Sequence, residues 1–331
     1  MDLPPEPVVR ALIQRYAQLI RRFGEEIGQR PLVLPTEEFF PDTFKADKKS
    51  LKRLVRRMQT HAGIADIPIR PVLLDAKEDD EHCGHGKSGG GGCGSGACAV
   101  PEANTDSPAR LVDDGDGWRL QMSQAELAHP VAMTTTVARA LAFVFLMETR
   151  TEDQPIADPL ELSVDLCAVA LGFGELLLEG SHIYSKGCGG PSVAKLTALG
   201  PVELAIPTDL FVAAGKHSAR ALAGQLPATQ REAFEEARAL IDSNPSLVQI
   251  LASNPERLAA GSFELGEAKS LIARLFAKKQ KTPDEMSLEE LESLVATLPA
   301  AQPGGRAKKK QKDELADLVE EALASARAEA E

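Results

Sequence analysis

The sequence has few cysteines and few aromatic residues. Its 331 residues include only five cysteines, one tryptophan and two tyrosines. Five cysteines is an odd number and a low density for this length, which favours a reducing compartment over a disulfide-stabilised scaffold. We therefore expect a cytoplasmic protein.

Long hydrophobic runs are also missing. The longest apolar runs, near 137–147 and 166–178, are too short or too interrupted by charged residues and glycines to cross a bilayer. They are typical of buried core helices. The first residues, from Met1 to Pro7, lack the basic and apolar stretches of a secretory signal. The sequence therefore predicts no membrane partner.

Positive charge is in deficit. The chain has 37 Lys and Arg against 49 Asp and Glu, and its formal net charge is −12. Such a surface repels phosphate, so we expect no nucleic-acid partner. The cations between Lys45 and Arg57 are a local exception, and we interpret them as a solvated or internally paired helix surface rather than a binding site.

Helical periodicity dominates what is present. Apolar residues recur at helical spacing over about 8–27 and 48–62, whereas 130–148 and 159–179 are apolar on nearly every side and are expected at the centre of the domain. Shorter helices are predicted at 201–226, 229–242, 245–251 and 264–277.

Two segments alternate as strands do. Residues 67–74 and 118–122 are expected to pair in a small sheet. The predicted fold class is therefore mainly α (α+β): a helical core, a small two- or three-stranded sheet, and C-terminal helices.

We divide the chain into three parts. Residues 1–242 form the predicted core, including a Gly- and Cys-rich loop at 75–108, and 243–299 form a helical extension. Residues 300–331 are predicted to be a linker and a terminal amphipathic helix. The apolar residues of 313–331 share one helical face, so this helix is a candidate docking segment for an unknown protein partner.

Three segments of the predicted core carry a resemblance. They are Leu34-Pro-Thr-Glu-Glu-Phe-Phe-Pro-Asp42 before a helix, the apolar helix 133–147, and Val164-Asp-Leu-Cys-Ala-Val-Ala-Leu-Gly-Phe-Gly174. In order and spacing they resemble a group of uncharacterised bacterial zincin-like proteins, which are built around a metallopeptidase-like His-Glu-x-x-His helix. The resemblance covers about 31–242 and implies a helical zincin-like core.

The resemblance also implies that the zinc site has degenerated. In a zincin, two histidines four residues apart bind the metal, and the glutamate between them polarises the attacking water. The matching positions here read Arg139-Ala140-Leu141-Ala142-Phe143. Arginine offers a metal no lone pair, alanine takes no proton and phenylalanine cannot ligate, so zinc hydrolysis is excluded at this place. No cofactor is expected at the zincin site.

Asp165 stands where the related proteins have an acidic residue that is well placed as a further ligand. A carboxylate in the apolar run 162–171 needs a cation or hydrogen-bond donors. Our hypothesis is that the Arg139 guanidinium replaces the charge of the metal and pairs with Asp165 in the core. The alternative is that either side chain reaches solvent or bonds a helix end.

A nearby pattern, Ala125-Glu-Leu-Ala-His129, looks like the zinc motif without its first histidine. Ser123 and Glu126 fit a capping box, and Pro130 suits the first turn of the next helix. We therefore interpret His129 as a structural or solvated residue rather than a ligand.

The glycine-rich loop brings thiols and imidazoles close together in sequence. Cys83, Cys93 and Cys98, with His85 or His82, can complete a tetrahedral structural zinc site. A reversible disulfide between Cys93 and Cys98, or a disordered linker with incidental cysteines, explains the same residues. All three interpretations stay open at this point.

These patterns favour a pseudoenzyme, a non-catalytic binding or scaffold protein that keeps a zincin-like core as a platform. The alternative is an enzyme, or a redox or metal-binding protein, that acts through the loop from Cys83 to Cys98. A third interpretation is that the resemblance is coincidental and the chain is an unrelated helical protein.

Overall fold

The structure is a computed structural model that describes residues 2–23, 29–74, 110–151, 155–187 and 190–266. These residues are mainly helical, with one three-stranded and one two-stranded sheet among them. The predicted class, mainly α with a small sheet and helices towards the C-terminus, is confirmed.

The elements of the described chain are named in chain order. The helices are α1 Glu6–Phe23, α2 Lys48–Ala62, α3 Gln124–Leu127, α4 Pro130–Glu148, α5 Leu160–Ala168, α6 Gly174–Gly180, α7 Pro201–Ala214, α8 Ala219–Gln225, α9 Ala228–Ser243, α10 Pro245–Ser253 and α11 Pro255–Ala259. The strands are β1 Ile69–Leu74, β2 Leu111–Asp113, β3 Trp118–Ser123, β4 Ile183–Gly187 and β5 Gly190–Ala194.

Helix α2 shows how local sequence sets the ends of an element. The Asp47 carboxylate accepts a hydrogen bond of 2.7 Å from the backbone N–H of Ser50, and Gly63 ends the helix with a φ of 68°. Both are favoured capping residues because aspartate accepts from free N–H groups and glycine adopts the left-handed conformation without strain. The helix has the predicted bounds.

The three-stranded sheet contains the predicted pair. Strand β1 pairs with β3 in parallel, and β2 pairs with β3 in the antiparallel direction. Leu120 and Met122 of β3 are buried on the face that lies against the helices. The expected pairing of 67–74 with 118–122 is confirmed.

Helix α4 lies at the centre of the core. Most of its side chains are buried, and it packs against α2, α5 and α6. Within the described ranges it is also the one helix long and apolar enough to cross a membrane, although most of that span is buried inside the protein. Its apolar surroundings on nearly every side explain its even hydrophobicity.

The sequence predicted one continuous helix over 159–179, but the structure divides this segment. Helix α5 stops at Ala168, a π-helical turn follows at Val169–Phe173, and α6 begins at Gly174. Gly172 has a φ of 92°, which side chains disfavour and periodicity does not reveal. The segment is therefore a broken helix.

Two other ranges differ from the sequence expectations. The predicted helix 201–226 is two helices, α7 and α8, because Ser218 caps a new start by accepting from the Ala221 N–H. The hairpin of β4 and β5 was not predicted. Of the predicted helix 264–277, residues 264–266 are not helical, and the rest lies outside the described residues.

Helices α10 and α11 complete this core. Leu247, Leu251 and Leu258 are buried in the same hydrophobic cluster as the centre of α4, and α11 packs against α1. The terminal helix predicted at 313–331 lies outside the described residues.

Candidate functional site

Arg139 and Asp165 form an ion pair in the interior of the helical core. Arg139 lies in the middle of α4 and Asp165 in α5, and the guanidinium Nε donates to the carboxylate Oδ1 at 2.7 Å. The exposed fraction of the side chain is 13% for Arg139 and 0% for Asp165. The predicted pairing is present, with Asp165 fully buried and Arg139 mostly buried.

The segment before α7 makes further hydrogen bonds to both members of the pair. The second oxygen of Asp165 accepts from the backbone N–H groups of Ala198 (2.6 Å) and Leu199 (2.9 Å), and Arg139 Nη1 donates to the carbonyl of Leu196 at 3.0 Å. The pair thereby ties together α4, α5 and the 196–199 segment. This segment was not recognised from the sequence because backbone donors leave no residue signature.

The electrostatics of Asp165 reflect two opposed causes. The net shift of the Asp165 pKa is upward, because burial outweighs the Arg139 guanidinium and the two backbone donors, which favour the charged form. A buried carboxylate with three donors and a counter-charge can stay ionised in the core, where an unpaired one could not.

The other matched zincin positions are part of the hydrophobic core. Ala140 is fully buried, and Phe143 is 9% exposed. The Phe143 ring meets the Trp118 ring edge to face, with centroids 5.7 Å apart. These two positions contribute packing, and neither offers an atom that could bind zinc or take a proton.

The helix break next to the pair is fixed by a close backbone contact. Val33 donates its N–H to the carbonyl of Gly172 at 2.9 Å. A Cβ added at Gly172 would lie 2.1 Å from the carbonyl oxygen of Pro31. Gly172, the first glycine of the Gly-Phe-Gly pattern, therefore lets the 31–33 segment pass close to the π-helical turn.

Glu175 is a second buried carboxyl near this site, and sequence reasoning did not select it. It is 0% exposed, and neither oxygen has a hydrogen-bond partner among the described residues. Burial, reinforced by the negative charge of Glu179, raises the pKa of Glu175 to about 9. It is therefore neutral at pH 7. The signal was a lone acid in the apolar run 171–178.

The shortened zinc pattern around His129 has a structural explanation. Ser123 and Glu126 form the predicted capping box, and Glu126 also pairs with Arg110. His129 is the residue before α4, and Pro130 occupies its first turn. The interpretation of this segment as a helix start is confirmed.

Of the cysteines, Cys167 lies within the described residues and those of the glycine-rich loop do not. Cys83, His85, Cys93 and Cys98 lie outside the described residues, so structural zinc in that loop stays a prediction. No group of three His, Cys, Asp or Glu side chains suited to a metal occurs within the part of the chain described here. Cys167 is fully buried in α5, as expected for a small hydrophobe, and burial raises the pKa of its thiol.

Comparison with known proteins gives no family model, no curated protein and no solved structure that matches this chain.

Proposed function

We propose that this protein is a non-catalytic binding or scaffold protein of the cytoplasm, a pseudoenzyme with a degenerate zincin-like core. The observation that carries the proposal is the ion pair of Arg139 with Asp165 between α4 and α5. A fixed guanidinium takes the role that a zinc ion has in the proteins that this chain resembles.

The chemistry of the donor set argues against zinc at this place. Zinc needs lone-pair donors at about 2.0–2.3 Å. Both oxygens of Asp165 already accept hydrogen bonds, from Arg139, Ala198 and Leu199. A zinc ion bound to Asp165 would displace the Arg139 guanidinium from its carboxylate. Two positive charges would then lie close together in the core, which is strongly unfavourable. No hydrolytic step can be assigned to these residues.

The surrounding helices support the same proposal. The resemblance implies two adjacent buried helices at the centre of the domain, and α4 packs directly against α5. The ion pair then serves as a structural cross-link that holds α4, α5 and the 196–199 segment in one arrangement. A rigid platform of this kind suits a protein that presents a surface to a partner.

Metal content and peptide cleavage test the proposal together. The protein would be purified with Cys83→Ser, Cys93→Ser and Cys98→Ser, so that zinc in the cysteine loop does not contribute to the signal, and compared with the unaltered chain. We expect no stoichiometric zinc in the altered chain and no cleavage of an unstructured peptide mixture by either protein.

Two results would overturn the proposal. One is a zinc ion per chain that persists without the loop cysteines and is lost with Asp165→Ala. The other is peptide cleavage by the purified protein that disappears with Arg139→Ala.

A further inference from the structure

Helix α2 carries the strongest concentration of positive charge in the described chain. Between Asp42 and Arg57 the sequence has seven cations and two carboxylates. The basic face consists of Lys45, Lys48, Lys49, Lys52, Arg53, Arg56 and Arg57. All of these except the half-buried Arg57 are exposed. This excess stands out on a chain whose formal net charge is −12.

Few of these charges are paired with carboxylates of the described residues. Asp42 pairs with Arg57 at 2.6 Å, and Asp47, which caps the start of α2, also attracts Arg53 and Lys45 at longer range. Arg53 donates to the carbonyl of Thr43 and to the Ser50 hydroxyl, neither of which is charged. Within the described ranges, Arg57 is the one cation of the basic face that forms an ion pair with a carboxylate. Of the two expectations for this surface, solvated or internally paired, the described residues fit the solvated one.

An apolar cavity of about 300 Å³ opens beside the basic face. It lies between α2, the start of α4 and the 35–44 segment, and its apolar lining includes Phe40, Phe44, Leu54 and Met133. Arg53 lines this cavity and also the two depressions next to it, which contain Lys49 on one side and Arg56 on the other. Across the cavity and the two depressions, five cations lie among three carboxylates, Glu37, Asp42 and Asp47, so positive charge is in excess around the apolar lining.

We propose that the basic face and this cavity are a docking site for an acidic protein segment that carries one bulky apolar side chain. The proposal rests on the proposed function, since a scaffold needs such a surface. Acidic side chains of the partner meet exposed cations that are in excess over the neighbouring carboxylates, and the apolar side chain fills the cavity as an anchor. The cavity is at the small end of ligand sites, which suits a single side chain.

A nucleic acid fits these features less well. A phosphate backbone would use the cations but has no apolar group for a cavity lined by phenylalanine, leucine and methionine. It would also approach a chain whose overall charge repels it. The acidic peptide uses both halves of the site.

The test is fluorescence anisotropy with the full chain and two synthetic peptides. Both consist of alternating Asp and Glu around one central residue, which is Phe in one peptide and Ser in the other. A single-stranded oligonucleotide of equal charge is the third probe. We expect the Phe peptide to bind most tightly, and its affinity to fall as salt rises because the contacting charges are exposed.

Charge reversal tests the basic face. Lys49→Glu with Arg56→Glu should weaken binding of the Phe peptide roughly tenfold or more. Arg220→Glu with Arg257→Glu is the matched control, because both of these cations are exposed and the change in net charge is the same. The control should change affinity far less.

Narrowing the cavity tests the anchor. Thr134 lines the cavity from α4, and Thr134→Phe should bring the affinity for the Phe peptide close to that for the Ser peptide. Circular dichroism and thermal melting check that each variant is folded. If Thr134→Phe does not fold, Thr134→Leu serves the same purpose with a smaller volume change.

Three outcomes would overturn the docking site: no binding of the Phe peptide, equal loss in the two charge-reversal variants, or an oligonucleotide that binds more tightly than the Phe peptide. None of them involves zinc or cleavage, so they leave the proposed function standing. Conversely, zinc-dependent cleavage would end the proposed function whether or not the peptide binds here.

Discussion

Asp165 and Glu175 are both buried carboxyls, one on each side of the same helix break, yet their surroundings are opposite. Asp165 receives three hydrogen bonds, one of them from the Arg139 guanidinium, whereas Glu175 receives none from the described residues. Burial raises the pKa of both carboxyls, but the donors and the guanidinium oppose this shift at Asp165, whereas the pKa of Glu175 rises to about 9. Burial alone therefore does not decide the state of an acid; the donors that the fold provides do.

The largest effect is expected when the cation of the satisfied pair is removed. Arg139→Leu leaves Asp165 buried without its counter-charge, and should lower the free energy of unfolding by about 3–5 kcal/mol. Urea denaturation at pH 7 measures this change, and Arg150→Leu, at an exposed position of the same region, is the matched control.

A double variant sharpens this first prediction. Arg139→Leu with Asp165→Leu removes both charges and should recover part of the lost stability. If the two single changes simply add, the pair contributes no coupling, and the contrast with Glu175 fails.

The next effect is a gain of stability at Glu175. Its folded pKa, about 9, lies above its ordinary value of 4.5, so the folded protein holds an additional proton between these two pH values. This contribution is fully present below pH 4.5 and is lost as the pH rises towards 9. Glu175→Gln removes this loss and should stabilise the protein by about 3 kcal/mol at pH 7.

Urea denaturation of the wild type and the Glu175→Gln variant across this pH range measures the difference. The two proteins should be similar near pH 4.5 and should diverge as the pH rises. If the free energies of unfolding of the two proteins changed in parallel with pH, Glu175 would ionise in the folded protein at its ordinary pKa, which contradicts the prediction.

A smaller loss is expected at the turn between the two carboxyls. Gly172→Ala places a Cβ at a φ of 92° and against the Pro31 carbonyl oxygen, and should cost about 2 kcal/mol. Gly224→Ala is the control, because a Cβ there meets no atom within 4 Å in helix α8. Thermal unfolding should show a lower melting temperature for Gly172→Ala and an unchanged or higher one for Gly224→Ala.

The smallest effect concerns a third buried carboxyl. Glu126 pairs with Arg110 and accepts from the N–H and hydroxyl of Ser123. Ser123→Ala removes one of several partners and the cap of α3, so the expected loss is about 1 kcal/mol. A loss as large as that of Arg139→Leu would show that the remaining partners of Glu126 do not compensate when one hydrogen bond is removed.

Much of the fold was predictable because its signals are local. Apolar periodicity predicted α1 and α2, and an almost continuous apolar run predicted α4. The ion pair was also predictable, since Arg139 and Asp165 are opposite charges in two apolar helices and each needs a partner.

What was missed depends on backbone geometry and distant contacts. The φ of Gly172 that breaks the helix has no periodic signal, and the Ala198 and Leu199 donors come from backbone rather than from side-chain type. Glu175 was missed for another reason. Sequence rules assume that a buried acid has a partner, and this one instead carries a proton.

The central claim is that a guanidinium occupies the place of a hydrolytic metal between α4 and α5. Crystals soaked in zinc and measured at the zinc absorption edge test it most directly. The account predicts no anomalous peak beside Asp165, with Arg139 still hydrogen-bonded to it. A peak within ligand distance of Asp165, with the Arg139 side chain turned away, would contradict it.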